Sequence, residues 1–231
     1  MGGGISNSKK ENLRKDPYIM VLGIAQDAGY PQVNCKMKCC EKAWQNVALH
    51  KMATSLAIID PNTNQQWIID ATPDIKKQIQ LLKNETKIDN LNGVLLTHAH
   101  IGHYTGLMYF GREALATNAL PVFTMPKMKK FLEKNGPWSQ LVNLNNIKIT
   151  VLESNSIFNL NDNISITPFS VPHRNEFSET VGFKIVINNK SLIFIPDIDK
   201  WEKWEKDICE LIQNIDYAFL DGTFYKNGEL K

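Results

Sequence analysis

Three of the five histidines in this 231-residue chain fall within six positions, His98-Ala99-His100-Ile101-Gly102-His103, directly after the apolar run Gly93-Val94-Leu95-Leu96. A short apolar run of this kind reads as a buried strand, so the histidines stand where a strand leaves its sheet. Residues two apart on an extended backbone share a face, which lets His98 and His100 approach one ion side by side. If the chain then turns into a helix, His103 swings to the other side of the same pocket. A lone histidine on an apolar strand is ordinarily a packed or surface residue. A cluster this dense has metal-ligand spacing, since imidazole is the commonest protein ligand for zinc and its neighbours and a catalytic site needs about three such ligands plus an open position.

The rest of the chain alternates strands with helices. Strands are expected at Tyr18–Gly23, Thr54–Ile59 and Gln66–Asp70, with Asp60-Pro61-Asn62-Thr63-Asn64 turning between the last two. Pro73 starts a helix over Asp74–Leu82, with Ile75, Ile79 and Leu82 on one face. Beyond the histidines we expect a helix from Thr105 to Ala116, a strand at Pro121–Thr124 and a helix at Lys127–Asn135 stopped by Gly136-Pro137. The second half reads as strands at Ile147–Leu152, Ile164–Val171, Val181–Ile187, Ser191–Ile195 and Tyr217–Leu220, with Asn188-Asn189-Lys190 as a turn. A helix over Trp204–Asn214 places Cys209 in its packed face. Two sheet-forming halves, each with helices, predict an α/β fold built as a four-layer αβ/βα sandwich. At 43% hydrophobic residues, a chain of this length buries one sizeable core. The expected organisation is a flexible arm over residues 1–16 and one domain over 17–231.

Net charge is +2 with acids and bases nearly balanced, which gives no electrostatic footprint for nucleic acid. The Lys127, Lys129 and Lys130 cluster reads as a solvated helix face. The expected partner is a small-molecule substrate, and no sequence feature sets an oligomeric state. With no secretory h-region and no run of 18 or more apolar residues, a cytoplasmic location is expected. Met1-Gly2 with Ser6 satisfies the N-myristoylation pattern, and Lys9, Lys10, Arg14 and Lys15 would add a basic second signal, the one expected route to a membrane.

The histidine cluster and the Tyr104-Thr105-Gly106-Leu107 after it resemble the metallo-β-lactamase-fold hydrolases, which carry a His-x-His-x-Asp-His signature at a strand end. Trp67-Ile68-Ile69-Asp70-Ala71-Thr72-Pro73 resembles the family's earlier strand ending in a structural aspartate. Val171-Pro172-His173, with Thr180-Val181-Gly182-Phe183, resembles the segment supplying the third ligand of a first metal, and Leu192-Ile193-Phe194-Ile195-Pro196-Asp197 the strand whose aspartate bridges two metals. Gly23-Ile24-Ala25-Gln26-Asp27-Ala28-Gly29-Tyr30-Pro31-Gln32 and Asn34-Cys35 resemble the opening loop of the pyrroloquinoline quinone biosynthesis protein B-like group and of phosphonate-pathway cyclic phosphodiesterases. Leu220-Asp221-Gly222-Thr223-Phe224-Tyr225 is similar to a late strand of that group and of the tRNA 3′-processing nucleases.

The resemblance implies metal ligands at His98, His100, His103, His173 and Asp197, with zinc as the expected ion and iron or manganese as alternatives. It implies hydrolysis by metal-activated water, most readily of a phosphodiester, with Asp197 orienting the water and taking its proton. His103 would hold a weak second ion or act as general acid. Two alternatives accompany this reading: iron-dependent oxidation of a tyrosine-like precursor, as in quinone cofactor biosynthesis, and a fragment that keeps the fold for binding only. Gly102 stands at the family's aspartate position, so His103 is expected to lack a carboxylate partner, and Asp27 is a candidate to replace the missing ligand. A later second-site histidine is also missing, since no histidine follows His173. Tyr225–Leu230 reads as a loop after a strand, and the expectation is a domain incomplete at its C-terminus. Cys35, Cys39 and Cys40, in C-x3-C-C spacing without a secretory signal, point to metal or redox chemistry before disulfides. A structural zinc is the expectation the related proteins support, with His50 or a later residue as its fourth ligand and free thiols as the alternative.

Overall fold

The computed structural model describes residues 15–223; the acylation pattern at Gly2 and Ser6 and the loop read at Tyr225–Leu230 lie outside them. The first half of the chain folds into a six-stranded sheet, β1 (Tyr18–Gly23), β2 (Ser55–Asp60), β3 (Gln65–Ile69), β4 (Gly93–Leu95), β5 (Leu120–Thr124) and β6 (Ile147–Val151), hydrogen-bonded in chain order. The first three strands pair antiparallel and the last four pair parallel. The second half forms a five-stranded sheet, β7 (Phe158–Asn159), β8 (Ile164–Ser170), β9 (Val181–Ile187), β10 (Lys190–Ile195) and β11 (Tyr217–Leu220), in the order β11-β10-β9-β8-β7. Only the β10–β11 pair is parallel in it.

The central strands are near-continuous apolar runs because both of their faces are covered, while β11 and β6 at the edges stay more exposed. In β2 and β3, Leu56, Ile58, Trp67 and Ile69 face the other sheet, while Ala57, Ile59 and Ile68 face the opposite way. In β10, Leu192 and Phe194 join the inter-sheet core, and Ile193 and Ile195 the outer one. Helices cover the outside of the first sheet: α2 (Ile75–Thr86), α4 (Pro126–Lys134) and α5 (Trp138–Asn143) contribute Ile75, Leu82, Met128, Leu132 and Leu141 to its core. On the second sheet a 3-10 turn at Trp201–Lys203 and α6 (Ile208–Ile212) bring Trp201, Ile208 and Leu211 over Ile193 and Ile195. The four layers expected from the sequence are therefore present.

Local differences from expectation have identifiable causes. Instead of one helix over Thr105–Ala116, the chain makes α3 (Ile101–Tyr104) and a 3-10 stretch over Thr105–Phe110. The Gly106 amide donates to the Ala71 carbonyl at 2.9 Å, and a Cβ on Gly106 would sit 2.1 Å from the Thr72 carbonyl oxygen, so the backbone leaves the helical path to pack on the β3–α2 connection. The helix expected over Trp204–Asn214 shrinks to α6 because Asp207 caps it, accepting from the Cys209 and Glu210 amides. Cys209 is exposed, not packed. Gly136-Pro137 ends α4 as expected, but α5 follows at once. Neither β7 nor α1 (Lys38–Gln45), which carries Cys39 and Cys40, was anticipated. No helix is long and apolar enough to cross a membrane among the described residues.

Candidate metal centre

The site lies where strands of both sheets end. Past β4 the Leu96 amide bonds to the Phe123 carbonyl at 3.0 Å, which carries the chain on to His98. Beyond β3, Asp70 takes φ +69°, a left-handed conformation that aspartate adopts more readily than most side chains but still at a cost relative to glycine. Its buried carboxylate over-determines that geometry by accepting from the Thr97 amide (2.8 Å), the Thr97 hydroxyl (2.8 Å) and His103 Nδ1 (2.7 Å). His100 is extended, and α3 then makes its single turn, with the His103 amide on the His100 carbonyl at 2.9 Å. This places His103 on the far side of His98, ring centroids 4.2 Å apart, as the spacing predicts.

The second sheet closes the pocket. Ala99 donates its amide to Ser178 Oγ at 2.8 Å and Val181 donates to the Thr97 carbonyl at 3.1 Å, so the β8–β9 connection is tied to the histidine loop. His173 rides on that connection, and Asp197 follows β10. Asp221, just past β11, accepts from the Ile198 amide at 3.1 Å and steadies the chain beyond Asp197.

His98, His100, His173 and Asp197 turn one donor atom each toward a common point, all within 4.8 Å of one another. His98 Nε2 and His173 Nε2 each lie 3.0 Å from His100 Nδ1. Asp197 Oδ2 lies 3.2 Å from His98 Nε2 and 3.6 Å from His173 Nε2. Tetrahedral zinc with bonds of about 2.0–2.1 Å sets its donors roughly 3.3–3.4 Å apart, so the spacing fits a divalent metal. Three imidazole lone pairs and a carboxylate crowded this closely repel one another unless a cation lies among them.

Outer contacts fix which nitrogen faces inward. Thr97 Oγ1, whose proton goes to Asp70, lies 3.0 Å from His98 Nδ1, leaving Nε2 free to ligate. Asp199 Oδ1 lies 2.9 Å from His173 Nδ1, and Glu176 Oε2 3.2 Å from His100 Nε2. Carboxylate–histidine pairs of this sort orient metal ligands and raise their basicity. Burial, with the charge of His103 adding to it, lowers His98 to a pKa of about 3, so its lone pair is available at neutral pH. Burial also lowers His173, against the pull of Asp197. Burial alone would push the Asp197 carboxyl up, but contacts with His103 and His98 hold it well below the usual carboxylate range.

His103 differs from expectation, because it has a carboxylate partner in Asp70. Burial opposes a charge on it, yet Asp70 outweighs burial, helped by Asp197 and Asp27, and the ring titrates well above the ordinary histidine value. Its Nε2 faces Asp197 Oδ2 at 3.2 Å and Asp27 Oδ1 at 3.4 Å. Asp27, from the loop after β1, thus does reach the centre.

Cys35, Cys39 and Cys40 form a separate group whose sulfurs also lie within 4.8 Å of one another. Hydrogen bonding from the Met37 backbone and from Cys40 lowers the Cys35 thiol, which favours the thiolate that a metal would bind. His50 does not join it; its Nε2 lies 3.0 Å from the Ala43 carbonyl. Thr97, Asp199, Ser178 and Glu176 escaped the sequence reading. Only Asp199 left a signal, the paired carboxylates of Asp197-Ile198-Asp199.

The chain is 24% identical to the coenzyme PQQ synthesis protein B of Methylorubrum populi over 232 residues, 92% of this chain and 75% of that protein. It is 25% identical to the same-named protein of Acinetobacter baumannii over 239 residues, 93% of this chain and 76% of that one. Among solved structures, zinc-bound PqqB from Methylobacterium extorquens superposes with a TM-score of 0.75 at 24% identity, covering 89% of this chain and 72% of that one. A diphosphatase of the PhnP family superposes at 0.61 with 19% identity over 89% and 73%. Human tRNase Z, short form, superposes at 0.55 with 12% identity over 87% and 76%. These likenesses show the metallo-β-lactamase fold. Residues 66–231 match the beta-lactamase superfamily domain, and the chain belongs to that superfamily.

Proposed function

We propose that the chain is a metal-dependent hydrolase acting on a phosphodiester, with His98, His100, His173 and Asp197 holding the ion. The observation that carries this reading is the convergence of four donor atoms at the strand ends, each imidazole turned by an outer oxygen. A divalent cation held there supplies Lewis acidity and water activation at neutral pH. Asp197, the sole carboxylate of that set, orients the attacking water and accepts its proton. It also lines a cleft of about 410 Å³ among the described residues, whose other walls come from the ends of β1, β2, β10 and β11 and not from the histidines. His103, fully buried with Nδ1 committed to Asp70, is poorly placed as an acid for a leaving group and serves as a ligand instead. What supports a phosphoryl substrate is that two proteins sharing the fold are named for such chemistry, a PhnP-family diphosphatase and tRNase Z.

Purified protein loaded with zinc or manganese should cleave members of a panel of cyclic and linear phosphodiesters. His98→Ala and His173→Ala should each lower kcat/KM on the order of a thousandfold, about 4 kcal/mol of transition-state stabilisation. Fully loaded protein that cleaves no phosphodiester, lactone or thioester would sink the hydrolytic reading.

A second reading is favoured by the sequence relatives, which are coenzyme PQQ synthesis proteins. Under it the same residues would hold iron, for which imidazole and carboxylate are suitable ligands, and a tyrosine-like precursor would be hydroxylated by dioxygen, one oxygen atom entering the ring and the other leaving as water with two electrons from an added reductant such as ascorbate. Oxygen uptake by the iron-loaded protein coupled to hydroxylation of such a precursor, with the zinc form inert toward the ester panel, would decide for it.

A further inference from the structure

We propose that Asp27 supplies the carboxylate of a second divalent-cation site, completed by His103 and Asp197, and that position 102 is glycine because the Asp27 loop fills the space a side chain there would take. The inference rests on the reading of the first site, whose Asp197 it shares.

A Cβ built on Gly102 would lie 2.3 Å from Asp27 Oδ1 and 2.5 Å from Asp27 Cα. Carbon atoms do not approach that closely, so even alanine at 102 would displace the loop. The Asp27 carboxylate therefore stands where a side chain from residue 102 would begin, delivered from a distant part of the sequence. The loop that carries it is pinned on both sides: Thr54 donates to the Ala25 carbonyl at 2.8 Å, and Tyr30 and Lys51 exchange backbone hydrogen bonds of 2.8 and 2.9 Å. Between them Gly29 takes φ +79°, which closes the turn, and its amide bonds to the Gln26 carbonyl at 2.7 Å.

The independent observation is His103. Its side chain is 1% exposed, its Nδ1 is held by Asp70, and its Nε2 has no hydrogen-bond partner of adequate geometry although two carboxylates face it at 3.2 and 3.4 Å. Without a metal a proton on that nitrogen answers the two carboxylates, and a divalent cation would displace the proton and take its place between the three groups. Asp27, His103 and Asp197 each offer an atom within 4.8 Å of the others. Asp197 Oδ2 is 3.2 Å from both His98 Nε2 and His103 Nε2, so one oxygen serves both positions. The second position is the more oxygen-rich of the two, which suits manganese or iron(II) as well as zinc.

The test is manganese binding by metal-stripped protein, read by elemental analysis and electron paramagnetic resonance. Manganese is chosen because soft thiolates bind it poorly, which keeps the cysteine group silent. Wild-type protein should take up two ions per chain with a spin-coupled spectrum. Asp27→Asn, which keeps the shape of the side chain, should take up one with an uncoupled spectrum, and Asp27→Ser should do the same. A coupled pair in both Asp27 variants overturns the proposal. A single uncoupled ion in wild-type protein also overturns it while leaving the first site standing. No bound manganese in any form overturns the first-site reading and this proposal together.

Discussion

Thr97 shows how much of the centre depends on one atom. Its hydroxyl is buried between the Asp70 carboxylate and His98 Nδ1, so a single proton assignment anchors the strained turn and sets the tautomer of a ligand. Thr97→Val keeps the shape and removes the donor. We expect a stability loss of about 1–3 kcal/mol by denaturant melts of metal-free protein, because a buried carboxylate loses a hydrogen bond. We also expect metal affinity to fall roughly 10- to 100-fold by competition with a chelator. Unchanged affinity would mean that Thr97 supports the fold alone. The clustering of the candidate donors was legible at this scale, because His98, His100 and His103 stand at a spacing that strand and helix periodicity can interpret. Their outer partners were not. His103 meets Asp70 across 33 residues and Ala99 meets Ser178 across 79, and no local pattern encodes such contacts. Gly102 read as a lost ligand, whereas the structure shows it as room for Asp27.

Strands were legible as elements because burial on both faces leaves them almost wholly apolar, as in β2, β3 and β10. The short helices were legible only in part: a helix was expected around α6, though a longer one, and none at α1. In its eight residues α1 buries only Cys40 and Ala43, and α6 is five residues long with none fully buried, so neither offers a run of buried apolar positions long enough to mark its bounds. The chain around α6 instead depends on polar ties at the start of the parallel β10–β11 pair. There Asp216 meets Lys190 Nζ at 2.6 Å and accepts from the Ser191 amide at 2.8 Å. Lys190 first, then that amide, hold the Asp216 carboxyl down at about 2, against an ordinary value of 3.8. A depressed carboxylate pKa contributes stability that is complete above the unfolded value and is lost as pH falls through the folded one. Wild-type protein should therefore melt slightly above Asp216→Asn near neutral pH, and the gap should close between about pH 4 and 2. A gap that persists at pH 2 would show that the carboxylate's charge is not what matters there.

For the molecule as a whole, the helix–sheet–sheet–helix order followed from two successive strand-rich halves, whereas the placement of the centre between them followed only from the family resemblance that joined His98 and His100 to His173 and Asp197. His98, His100 and His103 come from the first half, His173 and Asp197 from the second, and Ala99 to Ser178 and Val181 to Thr97 are hydrogen bonds that cross the divide. The sheets are glued by a deep core in which Phe183 and Ile185 are fully buried, yet at the strand ends polar groups replace that core. The two halves resemble jaws hinged on their hydrocarbon interior, and an ion at the mouth is a clasp. Hydrogen exchange should report it: at a free-ion concentration near 100 times Kd, protection of the Ala99 and Val181 amides should rise about 100-fold over the chelator-stripped protein. Equal exchange in both states would mean that the mouth opens without parting the ligands. If the clasp holds, metal supply sets how often the cleft gapes as well as what chemistry it does, and a metal-starved cell would carry this chain with its rim loosened before its core was touched.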